Sequence, residues 1–332
     1  MLWSPADCIR AYVTLWRRIL NLTSLDREAF ETRLPQLEEL FRSSFGRNLP
    51  SQFLHWRYLE NPLATEILTC VEQGDSGLAA SYSVSPAFLN VSGSWVKAAL
   101  SMTTMTSPAY AGRGLFTKLA EQLYLRMADL GYQVVWGFPN AQSHRGFVSR
   151  LKWFDIYEIP TMTLALADRP AQRFEAALDS GFGLDYSFIG TQQGEVSLSK
   201  DRTYLQWRYG RHPSNRYECL VVRSGATVTS FCVIKKFGAT LDLIDMQAAN
   251  ADECGYLLNQ VVAFGQKHEL ASISCWAPRH HFMHPLCEKL GFVNRQPVTY
   301  LGARILGYDS ALRSRLAGYS AWYLQMGDSD VY

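Results

Sequence analysis

The feature that most restricts this chain is a phrase it uses twice. "FLHWRYLENP" at 53–62 returns as "YLQWRYGRHP" at 204–213, sharing Trp-Arg-Tyr and a proline six residues after the tryptophan. Self-similarity at a fixed offset, Trp56 to Trp207, predicts two copies of one folding unit, and 332 residues are enough to build both.

Each phrase leads into a similar run of elements. After the first, "ATEILTCVEQ" (64–73) reads as a strand, and Leu78, Ala80, Tyr82 and Val84 alternate with Ser81, Ser83 and Ser85 in a second strand with one buried face. A turn at Ser92-Gly93 returns the chain into "WVKAALSMTTMT" as an antiparallel partner. Leu115, Leu119, Leu123, Met127 and Leu130 then mark a helix of about 16 residues closed by Gly131. A buried strand at 132–138, a helix near 141–151 and a strand at 154–166 complete the unit. After the second phrase, residues 218–246 read as three strands, followed by a helix at 252–268, a strand at 271–277, a segment ending "CEKLGF" and a last strand near 298–305. The expected class is α/β (α+β), each copy a mixed, largely antiparallel twisted sheet flanked by helices. The boundaries expected are 46–168 and 169–332 for the two copies. Residues 1–45 form an N-terminal helical segment, where Ile9, Tyr12, Val13 and Trp16 recur at helical spacing.

Charge excludes some partners. With 32 basic against 30 acidic residues the net charge is +2, which leaves no footprint for a nucleic-acid backbone or an anionic membrane. Asp7, Arg10, Arg17 and Arg18 interrupt any signal-like apolar run, so a cytoplasmic protein is expected. Seven scattered cysteines without a CxxC pair read as reduced and structural. His280, His281 and His284 invite a metal reading, but Pro278 and Pro285 argue against a regular helix there and no third ligand is suitably spaced, so no metal is expected.

The chemistry concentrates in "SPAYAGRGLFTKL" (107–119). Backbone N–H groups from Gly112 to Thr117 stand at a helix start, where no intrahelical acceptor exists and the macrodipole favours negative charge. By itself a Gly-x-Gly also suits a tight strand-to-helix turn. Neither a Walker loop nor a dinucleotide fingerprint fits, because both need a parallel strand context and further residues absent here. In the second copy the corresponding "DMQAANADEC" (245–254) has no Gly-x-Gly.

A loop of this kind after an antiparallel meander resembles the central motif of the GNAT (Gcn5-related) acyltransferases, strand, Pro, Arg/Gln-x-x-Gly-x-Gly/Ala, helix. The likeness extends over "GFPNAQSHRGFVSRLKW" (137–153) and the "WRY…NP" opening, and is closest to a subgroup with tandem domains, one of them degenerate. It departs from the family at Ala111, where Arg or Gln is usual, and at Phe116, where a small residue is usual. The resemblance implies that Ala111, Gly112, Arg113, Gly114, Leu115, Phe116 and Thr117 hold the pyrophosphate of acetyl-CoA. Arg113 either adds positive charge to the loop or is an ordinary surface residue. Main-chain N–H around Met105 and Thr106 would meet the thioester carbonyl, and Asn140 and Phe147 would flank the cofactor, with Asn140 also capping its helix.

The family's usual tyrosine acid falls at Val148, beside Phe147, and neither has a hydroxyl. His144 is the candidate acid or base, the alternative being a surface histidine at a helix start. No carboxylate stands on residues 95–107, where many relatives carry a glutamate base, so a water relay is expected. The implied activity is direct acetyl transfer to a primary amine of a small polar metabolite such as an amino sugar. A Fem-like aminoacyl or longer-chain acyl transferase and a non-catalytic binding module are the alternatives. An oligomer is compatible with the sequence.

Overall fold

The computed structural model describes residues 22–179, 181–186 and 194–330; the expected helix at Ile9–Trp16 lies outside them. The first half opens with β1 (Leu22–Ser24) and three helices, α1 (Arg27–Thr32), α2 (Leu34–Phe45) and α3 (Ser51–Leu59). Asp26 caps α1 by accepting from the Ala29 amide at 2.8 Å, and α2 ends at Gly46, whose φ of 67° is open to glycine. The meander follows as β2 (Thr69–Gln73), β3 (Leu78–Val91) and β4 (Ser94–Thr106), paired in that order and antiparallel. Helix α4 (Leu115–Asp129) buries Leu115, Leu119, Leu123 and Met127 on this sheet, the i, i+4 stripe of the sequence, and leads to β5 (Val134–Gly137) and β6 (Phe154–Ala165).

The alternation in β3 marks something other than a solvent face. Ser81, Ser83 and Ser85 are as buried as Tyr82 and Val84. Thr69 Oγ1 donates to Ser83 Oγ at 2.9 Å and Asn61 Nδ2 donates to Ser85 Oγ at 3.1 Å, so two of the three serines are partnered within the protein.

After the short β7 (Ala177–Leu178) and β8 (Val196–Leu198), helix α5 (Arg202–Leu205) carries the second Trp-Arg-Tyr phrase into a π-turn, Gln206–Gly210. The strands β9 (Glu218–Ser224), β10 (Thr227–Phe237) and β11 (Thr240–Gln247), helix α6 (Ala251–Lys267) and β12 (Ser272–Cys275) then reproduce the order of the first half. Helix α7 (Met283–Leu290) forms despite Pro285, which sits in its first turn where no N–H is needed. His284 on it is spoken for, with Nδ1 at 2.9 Å from the Ala277 carbonyl. The chain ends with β13 (Val293–Ile305), α8 (Ser310–Ala317) and β14 (Trp322–Tyr323).

The halves share one sheet rather than owning two. Its order is β1-β2-β3-β4-β5-β13-β6-β12-β11-β10-β9-β7, so the last long strand of each half is inserted into the other. β13 pairs with β5 and β6, and β6 pairs with β13 and β12, all antiparallel. The two Trp-Arg-Tyr segments meet at this junction with Trp56 and Trp207 stacked at 5.1 Å. The six described cysteines are buried, and none of them forms a disulfide with another described residue. Among the described residues, no helix is long and apolar enough to cross a membrane.

Candidate active site

Two neighbouring parallel strands part to make the site. β4 and β5 pair only over Ala98–Leu100 and Val134–Trp136. Beyond Leu100, β4 carries a bulge, since Ser81 faces Met105 while Ser83 faces Met102, which leaves Thr103 and Thr104 opposite Tyr82. Thr103 has φ of 47°, a conformation that costs a β-branched residue about 1–3 kcal/mol. The Tyr58 hydroxyl from α3 hydrogen-bonds to Thr103 Oγ1 and helps hold it there. Burial pushes the Tyr58 phenol above its ordinary range, so it stays protonated.

The gap opens into a cleft of about 860 Å³. One wall is apolar, with Phe41, Phe45, Leu49 and Phe53 from α2, α3 and the turn between them. The opposite wall brings Arg145 and Arg150, and Arg47 and Asp330 complete the charged lining. Three guanidinium groups against one carboxylate favour an anionic ligand.

Thr106 and Phe116 line this cleft and bracket the glycine loop. Ser107 N–H donates to Ala79 O at 2.9 Å, so by the alternation of an antiparallel ladder the Thr106 N–H points away from β3, into the gap. The same alternation turns the Met105 amide toward β3. Its side chain is buried in the core and does not line the cleft. Thus only one of the two expected carbonyl-binding amides faces the gap.

In the loop, Gly112 and Gly114 have φ of 76° and 73°, and a Cβ on either would meet nothing within 4 Å. Their need for glycine is therefore conformational rather than steric. Gly114 starts α4, and among the described residues the N–H groups of 112–117 donate to no backbone carbonyl. The loop is braced from outside: Tyr110 Oη accepts from the Asp75 amide at 2.7 Å and donates to the Asp75 carboxylate at 2.9 Å. Arg113 is exposed and folds back, its guanidinium 4.7 Å from the Tyr110 ring centroid. Ala111 is exposed and Leu115 is core. The Phe116 ring lies on the cleft floor, edge-on to Phe147 at 5.1 Å, with Gly146 allowing close approach, since a Cβ there would stand 3.3 Å from that ring.

On the β5 side, Asn140 Oδ1 accepts from the amides of Gln142 and Ser143 at 3.0 and 2.9 Å, capping the turn that follows. The helix expected at 141–151 is mostly a π-turn, Gly146–Arg150, closed by Leu151 N–H on Gly146 O at 3.2 Å. Asn140 and Phe147 line the cleft, but His144 does not. His144 instead stacks on Tyr300 of β13 at 4.0 Å and places Nε2 2.7 Å from Asp155 Oδ1 of β6. The exchanged strands thus capture the histidine that the sequence offers as an acid or base. Asp330 and the aromatic wall carry no local sequence signal, because they reach the cleft from distant parts of the chain.

The corresponding place in the second half is filled. β11 and β12 also part, after Leu243 and Cys275, but the C-terminal segment packs on the freed end of β11. The Tyr323 hydroxyl donates to Met246 O, and Gly327 lies against Ile244. Lys200 Nζ, buried, is 2.7 Å from both Asp245 Oδ2 and Asp328 Oδ1 and ties the segment down.

Residues 27–154 match the family described as an acetyltransferase (GNAT) domain. No curated protein matches the sequence. Among solved structures, a probable N-acyltransferase of unknown function from Enterococcus faecalis superposes with a TM-score of 0.63 at 12% identity, covering 86% of this chain and 72% of its own. A GCN5-related N-acetyltransferase from Anabaena variabilis gives 0.62 at 11%, with the same coverage. N-myristoyltransferase from Saccharomyces cerevisiae, with bound myristoyl-CoA, gives 0.59 at 12%, covering 85% of this chain and 82% of its own. At these identities the likeness speaks for the fold.

Proposed function

We propose, from the match of residues 27–154 to the acetyltransferase (GNAT) domain family, that this chain transfers an acyl group, in the first instance acetyl, from coenzyme A to a primary amine of a small molecule. The observation that carries the reading is the row of uncommitted amides at 112–117, set at the start of α4 beside the gap between β4 and β5. A pyrophosphate on those amides accepts hydrogen bonds from groups that otherwise depend on water. The pantetheine arm then runs into the gap, where the Thr106 amide is aimed at a carbonyl oxygen that gains charge as the amine attacks. No covalent intermediate on the protein is called for.

In this reading the two like element orders descend from a duplicated unit, residues 46–168 and 169–332, and only the first retains the site. The plugged gap beside β11 and the absence of Gly-x-Gly at 245–254 support that assignment. The acceptor is a small amine, an amino sugar being one member of the class.

Coenzyme A binding is the test. Ligand at about 100 times its dissociation constant adds about 2.7 kcal/mol to stability, seen as a rise in unfolding temperature. No shift with coenzyme A or acetyl-CoA refutes the reading and favours a non-catalytic module. The apolar wall of Phe41, Phe45, Leu49 and Phe53 favours a second version in which the acyl chain is longer. Competition between acetyl-CoA and decanoyl-CoA separates the two versions.

A further inference from the structure

We propose that Asp330 is the catalytic base of the acyl transfer, delivered to the first-half cleft by the segment that plugs the second. The inference rests on the acyltransferase reading. Its first support is elimination within the cleft. Of the four charged residues that line it, Arg47, Arg145 and Arg150 are guanidinium groups that hold their protons, and Asp330 is the sole carboxylate. No histidine, cysteine, lysine or tyrosine side chain is among the described lining residues. β4, which carries Thr103, Thr104 and Thr106 into the cleft, has no acid, and His144 is held elsewhere by Asp155 and Tyr300.

The second support is anchorage. Gln325, Met326, Asp328 and Ser329 are all buried, so the residue after them is held at a defined place. Ser329 O accepts from Arg208 Nη2 at 3.3 Å, and the Gln325 amide donates to Asp328 Oδ2 at 2.7 Å. With Lys200 bound to Asp245 and Asp328, the segment is fixed to β11 by a buried ion cluster immediately before Asp330. A base must be positioned as well as present.

The charged and titratable groups that face Asp330 are Arg47 after α2, Arg57 and Tyr58 of α3, and Arg208 of the π-turn. Desolvation raises the Asp330 carboxyl above its ordinary range, and the three guanidinium groups act against that shift, toward the carboxylate form. In the step proposed, the Asp330 carboxylate takes one proton from the substrate ammonium and releases it to solvent. The freed nitrogen lone pair forms the C–N bond at the thioester carbonyl as the C–S bond breaks. The second nitrogen proton ends on the departing coenzyme A thiolate, giving amide and thiol.

The test compares the wild type with Asp330→Asn and Asp330→Glu, following thiol release from saturating acetyl-CoA with a panel of primary amines: amino sugars, amino acids and polyamines. Thermal shift with coenzyme A is run on all three proteins. The expected result for Asp330→Asn is a kcat lower by about 10²- to 10³-fold at neutral pH, with KM for acetyl-CoA nearly unchanged. Its kcat then rises with pH as free amine becomes available, and Asp330→Glu recovers part of the loss. A purely structural Asp330 lowers the unfolding temperature and leaves the shape of the pH profile intact, which overturns the proposal. A wild type that binds coenzyme A yet releases no thiol with any amine also overturns the base while leaving the cofactor reading standing. A wild type that does not bind coenzyme A sinks both.

Discussion

Trp56 and Trp207 each donate the indole N–H to the other's main-chain carbonyl, both at 3.0 Å. The two residues are 151 positions apart, the offset of the repeated phrase, so the pair of bonds is reciprocal between the two copies of that phrase. Each tryptophan thus has its indole N–H satisfied by the other segment.

Because each bond belongs to both halves, replacing either tryptophan by phenylalanine leaves a buried carbonyl without a donor. Trp56→Phe and Trp207→Phe are each expected to lower stability by about 1–3 kcal/mol in urea unfolding. The double variant should cost less or more than the sum by at least about 0.5 kcal/mol, as expected of residues in direct contact. Strict additivity would count against the reciprocal pairing.

The same offset relates Asn61 to His212, each the residue before a proline. Asn61 Oδ1 accepts from the Leu63 amide at 3.0 Å, and His212 Nδ1 accepts from the Asn215 amide at 2.9 Å and that of Ser214 at 3.2 Å. Burial, reinforced by the charges of Arg208, Arg57 and Lys235, holds the imidazole down at about 3. The folded protein therefore keeps this histidine neutral while the unfolded chain protonates it below about 6.5. Unfolded chains bind the extra proton between those values, so stability falls as the solution is acidified through that window, by at most about 1.4 kcal/mol per pH unit. His212→Asn supplies the cap that the first half already uses and is expected to flatten that part of the stability profile.

Local chemistry explains what the sequence makes visible. The leucine stripe of α4, the glycines at 112 and 114 and the cap at Asn140 each depend on neighbours a few residues away, and each is where the pattern puts it. Partner choice is not local. β6 and β13 look like ordinary closing strands, and nothing in them signals that each is inserted into the other half. That exchange brings Tyr300 and Asp155 to His144 and so changes the role its position suggests. Likewise the serines of β3 read as a wet face until α3 and Asn61 are seen to cover them.

Gly114 offers a clean test of the loop, since a methyl group there meets open space and only the backbone angle resists it. Forcing a Cβ into φ of 73° costs about 1–2 kcal/mol. Gly114→Ala is expected to weaken coenzyme A binding by about tenfold, measured by calorimetry, while the unfolding temperature drops only slightly. Unchanged affinity would mean that the amides of 112–117 do not contact the ligand.

The buried Lys200 cluster sets how firmly the C-terminal segment is held. Lys200 is the shared cation of two carboxylates, and all three groups are almost fully shielded from water. Lys200→Met leaves Asp245 and Asp328 buried, mutually repelling and without their cation, a loss expected to cost about 3–5 kcal/mol. Asp328→Asn keeps the Lys200–Asp245 pair and an acceptor oxygen, so it should cost clearly less. Unfolding in denaturant ranks the two variants, and proteolysis near residues 322–330 reports whether the segment has loosened. If Lys200→Met is no worse than Asp328→Asn, the segment is held by its apolar contacts at Trp322 and Met326 rather than by charge.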